Sequence, residues 1–234
     1  MTEILENKLK EFKCEHCLKV FVRENSFVKH ECLKKRRWID KDKPVNRIAY
    51  SAWLYYHQKY HINKKKLDYK DFIANSYYKA FFNFGTYCCD IRVINVGEFV
   101  EYLLYNKISV DRWASDKEYT KFLIGYLRSE NCIEATRRSV ETMISMCESQ
   151  NIQLGDFFRY INSNKICYYI TTGHISPWIL YQSVSGKKFL SNLDSSQTNL
   201  VFEYIDPARW NIKFKREPLN VEEVKSILKT IDNL

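Results

Sequence analysis

Glycine and proline are scarce in this chain, with only six glycines and four prolines among 234 residues. Both residue types interrupt helices, so long stretches remain in which a helix can continue. Apolar residues recur at helical spacing along most of these stretches. The pattern is weakest over residues 150–175, where a strand or a loop is the alternative to a helix. Hydrophobic residues make up 45% of the chain, which is too much for a disordered protein. The sequence therefore predicts a mostly α-helical fold.

Local signals predict where several helices begin and end. Pro44 follows Asp42 and suits the first turn of a helix, where its missing N–H costs nothing. Asp68 predicts a cap for a helix that continues to Gly85, where glycine would end it. Asp194 and Gln197 have the spacing of a capping box, in which each side chain accepts from the other's backbone.

Four potential metal ligands lie close together near the N-terminus: Cys14, Cys17, His30 and Cys32. Thiolates and imidazole are the ligands that Zn²⁺ prefers, and a segment this short has too small a core to fold without a metal. Because Cys32 is only two residues after His30, the two cannot share one face of a helix. We therefore expect the helix to end near His30, so that Cys32 can complete the site. A three-ligand site and a chance cluster of core thiols are the alternatives.

This segment resembles a C2H2 zinc finger over residues 12–32. It has an aromatic residue two positions before the first cysteine, a C-x2-C pair, two core aromatics and a histidine separated from the second cysteine by twelve residues. The resemblance implies a ββα finger with Zn²⁺ as its cofactor, but the family's second histidine, one helical turn after the first, is missing, and the candidate for the fourth ligand is Cys32. In members of the family that read DNA, three positions on the helix meet bases. Carried over to this chain, those positions are Arg23, Ser26 and Lys29.

The net charge of +9 belongs entirely to the first 70 residues, which hold 18 basic and nine acidic side chains. Clustered positive charge attracts polyanions, and the resulting binding depends on salt. A solvated basic surface without a partner is the alternative. We expect nucleic acid, DNA rather than RNA, to contact two basic clusters in addition to the helix positions. The clusters are Lys34, Lys35, Arg36 and Arg37, and Lys64, Lys65 and Lys66.

The sequence signals for other metal-binding or nucleic-acid-binding sites are weaker. His57 and His61 are spaced to share a helix face, but the glutamate of an H-E-x-x-H motif is absent. Tyrosines and a lysine beside them suit stacking with a single strand, although aromatics at helical spacing more often form a core. Acidic residues that could hold Mg²⁺ in a nuclease are better explained as helix caps. These acidic residues are Asp194, Glu203, Asp206, Glu222 and Glu223.

Several function classes are excluded by what the sequence lacks. No glycine-rich nucleotide-binding motif and no nucleophile elbow occur, so we predict no catalytic residue. No apolar run reaches the length that spans a bilayer, and the first residues lack the apolar stretch of a secretory signal. Eight cysteines without such a signal favour a reducing compartment. We therefore expect a cytoplasmic protein with no membrane partner.

We expect two domains, a zinc finger with a basic extension over residues 1–38 and an aromatic-rich, all-helical domain over residues 39–234. After the finger come the segments KRRW-ID, HISPWILYQS and YIDPARW. Their order is similar to that in uncharacterised tailed-phage proteins that join one finger to a helical body. Size, basicity and aromatic content are also similar to those of helicase-loading proteins of T4-type phages. The resemblance implies a role in phage DNA metabolism in the host cytoplasm.

The function predicted from these features is that of a non-enzymatic accessory protein. It would dock on DNA through its basic N-terminal third and recruit a replication or transcription partner through the helical body. One alternative is a protein–protein adaptor, or an assembly or transcription regulator, whose finger binds protein. The other alternative is a metal-dependent nuclease.

Overall fold

The computed structural model describes residues 11–60 and 67–230. This part of the chain is mostly helical, with one small antiparallel sheet near its N-terminus and an aromatic-rich helical body, as predicted. It divides into two compact units. The first contains the described residues up to Asp90 together with Ser109–Ala114, and the second contains Ile91–Ile108 and the described residues from Ser115 onward. Among all these residues, the helices are too short or too polar to cross a bilayer.

The first unit begins with a two-stranded hairpin, in which Phe12 pairs with Phe21. The hairpin and the short helix after it form the N-terminal module, residues 11–32. The strands and helices of the unit are β1 (Phe12–Lys13), β2 (Val20–Phe21), α1 (Glu24–Val28), α2 (Leu33–Ile39), α3 (Pro44–Tyr60), α4 (Tyr69–Ala74) and α5 (Tyr78–Asp90). Short 3-10 turns lie at Asp40–Asp42 and Val110–Arg112.

Helices α3 and α5 approach each other closely, and glycine makes that approach possible. Gly85 is buried in the middle of α5. A Cβ atom at this position would collide with the Val45 carbonyl oxygen and lie 3.2 Å from Ala49 Cβ. Buried aromatic side chains fill the core around the pair. They are Trp53, Phe72, Phe81, Phe84 and Trp113.

The single helix predicted from Asp68 to Gly85 was wrong, because two helices occupy that stretch. Asp68 and Asp71 form a reciprocal capping box at the start of α4, with N···O distances of 3.0 and 3.1 Å. The backbone of Asn75 is extended, and its side chain accepts from the Tyr77 N–H at 2.8 Å. This local hydrogen bond competes with the helix ladder and ends α4.

The second unit is helical in all its described elements. They are α6 (Val96–Tyr105), α7 (Asp116–Ser129), α8 (Cys132–Gln150), α9 (Phe157–Tyr160), α10 (Ser163–Thr171), α11 (Pro177–Gln182), α12 (Val184–Ser191), α13 (Ser195–Ile205), α14 (Pro207–Arg216) and α15 (Pro218–Thr230), with a 3-10 turn at Leu154–Asp156. Over residues 150–175 the chain forms a 3-10 turn and the helices α9 and α10, joined by short loops, so the alternative of a strand was wrong. Asn162 caps α10 by accepting from two backbone N–H groups, and the apolar face of α10 is buried.

Two local devices stabilise the second unit. The capping box predicted at Asp194 and Gln197 is confirmed, with N···O distances of 2.8 and 3.2 Å. Arg138 holds the buried Glu130 carboxylate with two hydrogen bonds of 2.7 and 3.0 Å and donates from Nε to the Gly173 carbonyl at 2.9 Å. The Glu130 carboxylate and the Arg138 guanidinium are thereby paired, which offsets the cost of burying a charge.

Candidate metal centre

The hairpin turn of the N-terminal module brings two cysteines together. The Leu18 N–H donates to the Cys14 carbonyl at 2.8 Å, and the Cys14 N–H donates to the Lys19 carbonyl at 2.9 Å. Leu18 closes this turn in the left-handed region, with φ of 63°. Cys14 and Cys17 therefore lie on one tight loop, as their spacing predicts.

The other two ligands follow α1, where the helix has already ended. Helix α1 stops at Val28, and the His30 N–H donates to the Phe27 carbonyl at 3.1 Å. Cys32 has extended backbone, with φ −124° and ψ 154°, and its sulfur accepts from the Lys35 N–H at 3.3 Å. Because the chain is extended here, Cys32 turns back towards His30 although the two are only two residues apart.

The four side chains converge on one point. The sulfur atoms of Cys14, Cys17 and Cys32 and a ring nitrogen of His30 all lie within 4.8 Å of one another. Cys17 Sγ and His30 Nε2 are 3.2 Å apart. Four such ligands around one tetrahedral ion would be separated by about 3.5–3.8 Å, given metal–ligand bonds of about 2.0–2.3 Å. The arrangement could therefore hold a metal ion after only small side-chain movements.

The electrostatics of the cluster also suit a cation. Burial opposes ionisation of Cys14, but hydrogen bonds from the backbone of Cys17 and His16 and from the Cys17 and Cys32 thiols together lower its pKa. The Lys19 N–H favours a thiolate at Cys17, yet burial and the neighbouring sulfur atoms outweigh it and raise the pKa of Cys17. Thiolates this close repel one another, and a cation between them removes that repulsion.

The module has little else to hold it together. Of residues 11–32, all of which the structure describes, only Cys14 is buried. Three phenylalanines form a small, half-buried cluster: Phe27 lies 5.9 Å from Phe12 and 6.1 Å from Phe21 between ring centres. The Phe21 ring also packs on the His30 imidazole at 4.7 Å. Such a small core does not stabilise a fold without a cross-link.

The knuckle between the first two cysteines contacts helix α2. The His16 ring lies 5.8 Å from the Trp38 ring, and Trp38 meets Tyr69 of α4 edge-on at 5.9 Å. The module is therefore connected through Trp38 to the helices that follow it. The sequence reasoning did not single out Trp38, and the only available signal was an indole next to a run of cations.

Of the residues predicted to contact nucleic acid, the structure describes seven, and five of these are exposed. Arg23 is the N-cap of α1, Ser26 lies within the helix, and Lys29 is its C-cap. All three are exposed, as are Lys34 and Arg36 on α2. The structure thus places five of the predicted side chains in solvent, on two short consecutive helices.

Two other predicted residues have roles inside the first unit. Arg37 donates from Nη1 to the Ile73 carbonyl at 2.7 Å, and its guanidinium lies 3.8 Å from the centre of the Tyr78 ring. Lys35 is half-buried and reaches the His30 carbonyl with its ammonium at 3.5 Å. Arg37 thus ties α2 to α4 and α5, and Lys35 lies beside the metal-ligand cluster.

The remaining candidates are placed as follows. Lys64, Lys65, Lys66 and His61 lie outside the described residues. His57 is half-buried, and its ring packs on Trp53 at 4.7 Å. Asp194 and Asp206 cap α13 and α14. Within residues 11–60 and 67–230, no second group of three or more His, Cys, Asp or Glu side chains converges as the cysteine cluster does.

No protein-family model, curated protein or solved structure matches this chain.

Proposed function

We propose that the cluster of Cys14, Cys17, His30 and Cys32 binds one structural Zn²⁺ ion. The observation that carries this proposal is the convergence of four ligands in a module with no other buried side chain. Three sulfur atoms and one imidazole nitrogen suit a soft or borderline ion with tetrahedral geometry, and Zn²⁺ fits that description. All four positions are taken by protein ligands, which is typical of a structural site rather than a catalytic one.

Metal analysis of the purified protein tests this proposal. We expect one zinc ion per chain, and we expect Cys14→Ser or Cys17→Ser to release it, because a hydroxyl is a poor replacement for a thiolate. Cys89→Ser is the matched control for Cys17→Ser, since both cysteines are half-buried but Cys89 lies on α5 outside the cluster. A wild-type protein that contains no zinc, and takes up none when it is added, would refute the proposal.

We further propose that the zinc-bound module and α2 dock on nucleic acid, DNA in preference to RNA. Four exposed cations support this proposal: Arg23, Lys29, Lys34 and Arg36. Four phosphate contacts would give a slope of log K against log salt of about −3.6 on duplex DNA, or a loss of about 150-fold in affinity between about 50 and 200 mM salt. In this role the protein acts as a non-enzymatic accessory factor, and its helical body contacts a protein of replication or transcription.

Fluorescence anisotropy with a labelled DNA duplex, at several salt concentrations, measures that slope. Replacing the four cations with glutamine should weaken binding and flatten the salt dependence. The control variant removes the same charge from four exposed lysines of the second unit: Lys117, Lys187, Lys188 and Lys229. Equal losses in the two variants would show that only net charge matters, and unchanged binding in the first would disprove docking through the module.

A protein-binding role is the second candidate, because the N-terminal module and the first residue of α2 expose several large apolar side chains. Leu18, Val22, Val28 and Leu33 are 64%, 66%, 67% and 72% exposed. Exposed apolar groups on a small surface are typical of protein contacts. A partner that stays bound to the immobilised protein after nuclease treatment, and is lost with Val22→Ser and Val28→Ser, would favour this adaptor role.

A further inference from the structure

Trp38 occupies an unusual position on the basic part of the first unit. Its ring lies 5.1 Å from the ammonium of Lys41 and 5.7 Å from that of Lys70, measured to the ring centre. Two lysines from different elements therefore flank the same indole, which is half-buried at the end of α2. The indole also contacts the rings of His16 and Tyr69.

The cations around Trp38 extend along α2. Lys34 precedes Trp38 by four residues, so the two share one face of the helix. Residues 33–43 carry six basic and two acidic side chains, and Asp40, one of those acids, pairs with Lys43. In the part of the chain that the structure describes, Lys34, Lys41 and Lys70 form no ion pair with a carboxylate.

Trp38 differs from the other tryptophans of the chain. The remaining four have at most 1% of their surface exposed, and they are Trp53, Trp113, Trp178 and Trp210. Among the tyrosines that the sequence offered for stacking, Tyr56 packs against the aromatic core, 5.7 Å from Phe81 and 6.1 Å from Trp113. Only Trp38 combines an accessible indole with flanking ammonium groups.

We propose that Trp38 is a stacking platform for an unpaired nucleobase and that Lys34, Lys41 and Lys70 hold the phosphates beside it. The inference rests on the proposed docking to nucleic acid and specifies its substrate class as single-stranded. Base faces inside a duplex are covered by their neighbours, whereas a single strand can lay a base on an aromatic side chain. A lysine over a ring that is partly open to solvent is held only weakly, so a base can replace it and the released ammonium can move to a phosphate.

The position of His16 couples this platform to the metal centre. His16 lies between Cys14 and Cys17, so the knuckle that the two cysteines form also sets the position of the ring against Trp38. The platform is thus built from the module on one side and from α4 on the other. A base that stacks there reaches the phosphate-binding cations without any change in the helical fold.

Two oligonucleotides with equal charge separate stacking from phosphate binding. One is oligo(dT) of about 16 nucleotides, and the other has the same number of phosphates but abasic sugars throughout. We expect the wild-type protein to bind oligo(dT) at least about fivefold more tightly, the factor that corresponds to about 1 kcal/mol of stacking. Oligo(dT) should also quench tryptophan emission, because Trp38 is the accessible indole, and the abasic strand should not.

The variants assign the difference to Trp38. Trp38→Leu should bind the two strands equally, and Trp38→Phe should retain part of the preference for oligo(dT). Lys34→Gln is the control, because it should weaken binding to both strands by the same factor. Zinc content and far-ultraviolet circular dichroism verify that each variant is folded.

The possible failures are distinguishable. If the wild-type protein binds oligo(dT) and the abasic strand equally, without quenching, the stacking platform is refuted while docking on nucleic acid stands. A preference that persists in Trp38→Leu likewise refutes the role of this residue. If neither strand nor a duplex binds at low salt, the proposed docking function fails, and the platform fails with it.

Discussion

Because α3 and α5 approach each other closely at Gly85, we expect a glycine-to-alanine substitution there to destabilise the protein, whereas the same substitution at Gly125 should stabilise it. In Gly85→Ala the new methyl group would meet the Val45 carbonyl oxygen and press on Ala49 Cβ at 3.2 Å. Overpacking of this kind costs about 1–3 kcal/mol, and the upper half applies here because a backbone oxygen cannot move away by changing a rotamer. Alanine recovers about 1 kcal/mol through its higher helix propensity. The expected net loss is about 1–2 kcal/mol.

Gly125→Ala is the matched control for this reasoning. Gly125 lies exposed in the interior of α7, and a Cβ atom there has no neighbour within 4 Å. The same methyl group should therefore stabilise the protein by about 0.5–1 kcal/mol.

Thermal unfolding followed by circular dichroism measures both effects. For a unit of this size, Gly85→Ala should lower the midpoint by about 5–15 °C, and Gly125→Ala should raise the midpoint of its own unit by about 2–4 °C. A Gly85→Ala variant at least as stable as the wild type would show that the helices can separate without cost, and the packing argument would be wrong.

Two further predictions concern the second unit. Asp194→Ala removes a reciprocal cap and should cost about 1 kcal/mol in urea unfolding, whereas Asp194→Asn, which still accepts from the Gln197 N–H, should cost little. Arg138→Met leaves the Glu130 carboxylate buried without its cation and should cost about 3–5 kcal/mol at neutral pH. Burial raises the pKa of Glu130 despite its hydrogen bonds to Arg138, so protonation removes the unpaired charge and the deficit should shrink as the pH falls through that raised pKa. Urea unfolding curves of the wild type and of Arg138→Met between about pH 4 and 7 check this, and a loss of stability that does not change with pH would contradict it.

Sequence patterns predicted the helix ends that depend on local chemistry. Pro44 begins α3, and Asp194 and Gln197 cap α13, because each signal acts within one turn of its own helix. Gly85 was misread for the opposite reason. Glycine at a helix end and glycine at a close helix contact look alike in sequence, and only the position of Val45 on another helix distinguishes them.

The metal-ligand cluster was accessible from sequence for a similar reason. All four ligands lie within 19 consecutive residues, so their spacing alone brings them close once the hairpin and α1 form. Even the early end of α1, which lets Cys32 turn back, followed from the two-residue separation from His30. The surroundings of Trp38 were not accessible, because Lys70 belongs to an element more than 30 positions away.

The basic run on α2 shows why net charge does not measure binding capacity. Arg37 is directed to a carbonyl of α4 and to the Tyr78 ring, and Lys35 reaches back to the His30 carbonyl. Lys34 and Arg36, which alternate with them in sequence, are exposed. Since each phosphate contact contributes about 0.9 to the salt slope on duplex DNA, counting all four cations instead of two would overstate that slope by about 1.8. Under the docking proposal, the measured salt slope therefore shows how many of the four cations bind phosphates and how many instead stabilise the fold.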